Sequence, residues 1–160
     1  MISMYEQMEQ LAYNNDIMII THCLPDKLSG YCYLSTDHGI KTITLNKKLS
    51  TTAEKACVLA EELEHYISTP EDLFIAPKPM QEKYESIARF NAVKKLMPLD
   101  KLIDARRRRL CDVYELADYL GITSEFLESG LKAYKVHYGS AVPYRDFIIY
   151  FDPFNVEKAC

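Results

Sequence analysis

Glu61, Glu62 and His65 are the residues of this chain whose types and spacing could activate a water molecule. They stand in Ala60-Glu61-Glu62-Leu63-Glu64-His65-Tyr66, one substitution away from H-E-x-x-H, with Glu61 in the place of the first imidazole. On a helix, residues four apart share a face, so Glu61 and His65 would project together like two ligands of one divalent ion. Glu62 lies beside them as the candidate general base. The same letters also suit the solvated face of an ordinary amphipathic helix, so the surroundings must decide between the two.

Those surroundings are well signalled. Thr51 followed by Glu54 is a capping box, which predicts a helix from near residue 52 to about residue 68, before Pro70. Along it Ala56, Leu59, Ala60, Leu63 and Ile67 make an apolar stripe to face a sheet, leaving Val58, Glu61, Glu62 and His65 on an adjoining face. Three strand-like segments precede it, at 17–21, 30–34 and 40–45, with turn chemistry in Asp37-His38-Gly39 before the last. Met4, Met8, Leu11 and Ala12 predict an opening helix that breaks at Asn14-Asn15-Asp16.

Beyond the motif, Pro77 and Pro79 open a second long helix over about 80–97, which Pro98 closes. Its inward positions are Tyr84, Ile87, Ala88, Asn91, Ala92 and Leu96. Glu85 lies near that face, free either to point at the motif helix or to pair with Arg89 four residues on. A basic helix over about 100–109 follows, with Asp104 spaced to pair with Arg108. Asp112 and Glu115 then read as another capping box, Gly121 as a helix stop, 124–138 as a further helix, and 146–151 as a short strand before Pro153.

Composition narrows the function classes. With 160 residues, 48% of them hydrophobic, the chain can build one ordinary core with a small appended subdomain. A net charge of -4 argues against a general electrostatic grip on nucleic acid and toward protein or small-molecule partners. The five cysteines are odd in number and form no C-x-x-C pair, so they suggest neither a disulfide framework nor a thiolate zinc site. The first residues carry no basic and apolar leader, and no run approaches the ~18 apolar residues of a membrane span. A soluble, cytoplasmic protein is the expectation.

The order of strand segments, then Leu59-Ala60-Glu61-Glu62-Leu63-x-His65-Tyr66, then Glu85-x-x-Ala88-x-x-x-Ala92-x-x-x-Leu96-Met97-Pro98, resembles the ImmA/IrrE family of zinc metallopeptidases in its short phage and mobile-element form. The likeness continues through Glu115-Leu116-Ala117, Gly121-Ile122-Thr123 and Phe126-Leu127. It implies an α+β fold: a zincin-like, gluzincin-type domain over 1–98, with a small antiparallel sheet packed on helices. A helical tail over 99–160, resembling a helix-turn-helix and carrying a C-terminal strand, would pack on that domain. The resemblance further implies metal ligands Glu61, His65 and Glu85, with Glu62 as the general base. Zn2+ is the first expected metal, ahead of Mn2+ or Fe2+. Relatives of this kind cleave, or help to inactivate, a repressor that keeps a prophage or integrative element silent. The implied protein is a metal-dependent endopeptidase with a phage-type repressor as its partner and no membrane. The alternative is a weak or inactive member, metal-free in the limit, that acts as an anti-repressor by holding a regulator between the sheet edge and the motif helix.

Two residues depart from the family's H-E-L-G-H. Glu61 offers a carboxylate, an acceptable zinc ligand at about 2.0–2.2 Å. Glu64 stands where a small Gly would allow close packing behind the site. With Glu61, Glu62, Glu64 and Glu85 near one ion, binding should be weaker than at a two-His site and the bound water less acidified. Oxygen ligands also move preference toward manganese or iron(II). Without metal the clustered carboxylates should repel, raising at least one pKa.

His65 could instead be a histidine suited to a helix end. His22, His38 and His137 lack partners at ligand spacing and read as surface or turn residues. In the tail, Ser124, Glu125, Glu128 and Ser129 on the second helix would set acids against phosphates, and 106–109 spread four arginines around a helix. A packing or repressor-docking role is expected there in preference to DNA binding.

Overall fold

A computed structural model describes residues 2–34, 39–68 and 76–159. It is an α+β protein whose chain divides into two compact units, Met1–Ala92 and Val93–Cys160. The division falls inside a helix that both share.

The first unit opens with α1 (Met4–Asn14), started by a reciprocal capping box between Ser3 and Glu6. Its buried Met4, Met8 and Ala12 follow the expected periodicity, and Asp16, at φ 56°, turns the chain into β1 (Ile17–His22). β2 (Gly30–Leu34) and β3 (Lys41–Asn46) complete a three-stranded sheet in the order β1-β3-β2. The β2–β3 pair is antiparallel, as expected, but β1 joins β3 in parallel, so the sheet is mixed and not purely antiparallel.

The reason lies in the connection from β1 to β2. Buried Asn46 donates through Nδ2 to the carbonyls of Leu28 (2.7 Å) and Leu24 (3.3 Å). That holds the returning loop beyond the end of β3, which carries β2 past it to the far edge. His38 and most of the expected 37–39 turn lie outside the described residues.

Helix α2 (Thr52–Ser68) packs on β2, β3 and α1. Its start is as expected: Glu54 N–H donates to Thr51 Oγ1 (3.1 Å), and Thr51 N–H donates back to the Glu54 carboxylate (2.9 Å). Ala56, Leu59, Ala60 and Leu63 are fully buried, each leucine contributing about 1.5–3 kcal/mol by leaving water. Ile67, expected on that stripe, is exposed, and Cys57 and Glu64 are buried. The outer face of the sheet shows Met18 and Tyr33 flanking Thr42, and Ile20 and Tyr31 flanking Thr44, with all four large side chains exposed.

Helix α3 (Lys78–Leu96) starts two residues before the expected position because Pro79 fits within a first helical turn, where its missing N–H costs nothing. Ala88, Ala92 and Leu96 are buried, whereas Ile87 is exposed.

In the second unit, α4 (Leu99–Arg107) buries Leu102, Ile103 and Ala105. Helix α5 (Val113–Leu120) is capped by Asp112, whose carboxylate accepts from Tyr114 N–H (2.8 Å) and Glu115 N–H (3.3 Å). Gly121, at φ 71°, ends it in the left-handed conformation that side chains disfavour. Thr123 then caps α6 (Ser124–Tyr138).

The single expected C-terminal strand is one of three. β4 (Ala141–Tyr144), β5 (Phe147–Phe151) and β6 (Phe154–Lys158) form an antiparallel meander. Pro143 hid β4, yet a proline is tolerated on an edge strand, which is where β4 lies. Buried Tyr134 joins α6 to this layer, its ring stacked 5.2 Å from Phe151 and its hydroxyl donating to the Met97 carbonyl (2.8 Å).

Candidate active site

Helix α2 brings Glu61, Glu62 and His65 into the expected second half of its length, all three half-buried. Across from them α3 presents Glu85, whose Oε2 lies 3.6 Å from His65 Nε2. Of the two sequence alternatives for Glu85, the structure favours the motif helix: its carboxylate pairs with His65. The charge of Arg89 instead acts on Glu61, one turn earlier on α2.

Burial dominates the electrostatics. The Glu61 carboxyl is raised above its ordinary 4.5, chiefly by loss of water and a little by Glu85, while Arg89 and His65 pull it back. Glu62 is raised as well, again first by burial, with lesser repulsion from Glu61 and Glu85 and opposing help from His65 and the Cys32 thiol. Raised carboxyls were expected, but from mutual repulsion, which proves secondary. The α2 face is closed on one side by the sheet, and exclusion of water is what raises both carboxyls.

Two residues of β2 complete the surroundings of Glu62, and neither was anticipated. Cys32 hydrogen-bonds to the Glu62 carboxyl, and burial with that neighbouring charge pushes the thiol up to about 12. Gly30 lies so close that a Cβ would fall 2.6 Å from Val58 Cγ1 and 3.0 Å from Glu62 Cγ. Only the strand pairing brings β2 over α2, so a linear reading had no signal for either residue beyond the small size of Gly30.

Tyr66, last letter of the motif, ties the helix to the same strands. Its hydroxyl donates toward the carbonyls of Tyr33 and Thr42 (2.8 Å to the latter) and accepts from Thr42 N–H (3.1 Å). Glu64 is 2% exposed and accepts from Ser68 Oγ (2.8 Å).

The donor set suits a divalent ion in chemistry: one imidazole and two carboxylates from two helices. Its spacing is met for one pair. Two ligands of a tetrahedral ion with bonds of about 2.0–2.1 Å stand roughly 3.4 Å apart, close to the His65–Glu85 separation of 3.6 Å. Among the described residues no three His, Cys, Asp or Glu side chains converge at metal-holding distance. Glu61, one helical turn from His65, does not converge with that pair.

Elsewhere the arginine run is occupied locally. Arg106 donates to Cys111 Sγ (2.7 Å), Arg107 lies over the Phe147 ring (5.0 Å), and Arg108 pairs with Asp104 (3.1 Å) over Tyr119. Among the described residues no helix is long and apolar enough to cross a membrane.

Residues 15–132 match the family described as the IrrE N-terminal-like domain, Peptidase_M78. No curated protein matches the chain.

Proposed function

Because the chain belongs to the IrrE N-terminal-like domain family, one of metallopeptidases, we propose that it is a zinc-dependent endopeptidase of zincin type, acting in the cytoplasm on a phage-type repressor. The observation that carries this reading is the approach of His65 and Glu85 from separate helices to ligand spacing. His65 and Glu85 would hold the ion, and Glu61 would join them by a side-chain rotation, since residues four apart share a helix face. The ion, when bound, supplies Lewis acidity toward water and a peptide carbonyl.

The remaining work falls to the chain's own groups. Glu62 accepts the proton of the attacking water at a carboxylate oxygen and returns it to the leaving amine. Burial lifts its pKa toward working pH, the direction that improves a general base. The Cys32 thiol steadies that carboxylate, and Gly30 leaves room for it. Strand β2, an edge of the sheet lying over α2, can take an extended peptide by strand addition.

A second reading is supported by Arg89. Its attraction for the Glu61 carboxylate competes with metal, as it would in an inactive member that binds a regulator without cutting it. Metal content after chelator-free purification separates the two. One equivalent of zinc, lost in Glu85→Ala, is the expected result. Absence of stoichiometric metal, with Glu85→Ala unchanged, would overturn the enzyme reading. If metal is present yet Glu62→Gln still removes the repressor in co-expression, capture and not cleavage is the mechanism.

A further inference from the structure

Glu64 is the charged residue that helix α2 buries most completely. It stands where the family resemblance calls for glycine, so its side chain needs its own physical account. Ser68, one turn later, donates from Oγ to Glu64 Oε2 (2.8 Å), and the same Oγ accepts from Asn91 Nδ2 of α3 (2.9 Å). The three form a relay that crosses from one helix to the other. Beside Asn91 on α3, Ala88 and Ala92 are 1% and 0% exposed, so this stretch of the helix is buried.

Besides His65–Glu85, and the charge of Arg89 acting on Glu61, the relay is a further polar link between these helices. One contact leaves α3 free to roll and slide against α2. Two contacts, at positions three residues apart on α2 and six apart on α3, fix both motions.

We infer that Glu64 is a positioning residue: through Ser68 and Asn91 it sets the register of α3 and thereby holds Glu85 opposite His65. The substitution that looked like an obstruction behind the site is the anchor of its far ligand. For its functional meaning the inference rests on the metal reading above, but the placement of Glu85 can be measured without metal. Partners that orient metal ligands typically change affinity by about 10–100-fold when removed.

The experiment compares the full chain with Glu64→Ala, Glu64→Gln and Asn91→Ala. In chelator-treated protein, nuclear Overhauser contacts between the His65 ring and the Glu85 methylenes report their proximity. In parallel, zinc affinity is measured by competition with a chromogenic chelator. The expected result is that Glu64→Ala and Asn91→Ala each lose the contact and weaken zinc by roughly tenfold or more. Glu64→Gln, whose amide oxygen still accepts from Ser68, retains both.

Cooperative thermal unfolding is required of each variant; should Glu64→Ala fail it, Asn91→Ala, at the less buried end, carries the comparison. Survival of the His65–Glu85 contact in the alanine variants would overturn the inference. Wild-type protein that binds no zinc but loses the contact on Glu64→Ala would sink the metal reading and leave the positioning role standing.

Discussion

Two pairs of carboxyl groups, one in each unit, shift in opposite directions, although Glu6 and Glu54 of the first unit are lowered too. Around α2, Glu61 and Glu62 are drawn out of water and their pKa values rise. In the second unit Asp104 and Asp152 stay in water and are lowered, Asp104 by hydrogen bonds from Tyr119 and Arg108, Asp152 by Lys135. A carboxyl lowered by a local cation is what a stable surface produces unaided. A pair raised by burial works against folding and persists where chemistry needs it. The contrast sets Glu61 and Glu62 apart from the carboxyls that local partners lower.

The strongest test of that contrast is Glu62→Gln, which should reduce peptide cleavage by about 10^2–10^4-fold with zinc content unchanged. Asp104→Asn, measured alongside, should leave cleavage at the wild-type rate. Equal losses in both would erase the distinction between the two pairs.

Gly30→Ala comes next. A methyl group there meets Val58 and the Glu62 side chain at 2.6–3.1 Å. We expect destabilisation of about 1–3 kcal/mol from overpacking and a fall in kcat from the displaced base, read by thermal unfolding and steady-state kinetics. Unchanged kcat would show that Glu62 is not confined by β2.

The pH response sharpens the comparison further. Glu61 and Glu62 have folded pKa values above those of the unfolded chain. Their contribution to stability is therefore fully present below about pH 4.5 and is lost as pH rises through the raised values. Asp104 and Asp152 have the opposite sign, contributing above their ordinary 3.8 and losing that contribution as pH falls through their lowered values. Metal-free protein should thus lose melting temperature from mildly acidic toward neutral pH, and Glu61→Gln with Glu62→Gln should flatten that slope. A flat wild-type profile over this range would mean that the α2 carboxyls are not desolvated. The smallest effect expected is that of Asp152→Asn on melting temperature at pH 7, since an exposed ion pair such as Lys135–Asp152 contributes little.

What could be read from the letters was what depends on neighbours in the chain. The bounds of α2 follow from Thr51 and Glu54, the end of α5 from Gly121, and the helical placement of Glu61, Glu62 and His65 from their spacing alone. Ile67, placed on the buried stripe by its spacing, is exposed, while Glu64 is buried. Periodicity assigns a face from hydrophobicity, whereas Ser68 on the same helix and Asn91 on α3 give the buried Glu64 a polar surrounding. The parallel β1–β3 pairing and the roles of Cys32 and Gly30 rest on partners distant in sequence, whereas β4 and β6 pair with their chain neighbour β5, and Pro143 hid the former. Glu85 lay between: its position was legible, its choice between Arg89 and His65 was not.

The Tyr66 hydroxyl touches main-chain groups of two strands at the very end of α2. A helix terminus ordinarily frays first, at almost no free-energy cost, yet this one cannot open unless the Tyr33–Thr42 rung opens with it. The last turn of α2, which carries His65, should therefore exchange its amide hydrogens together with β2 and β3 as one cooperative piece. Substituting phenylalanine at residue 66 should detach its timescale from theirs.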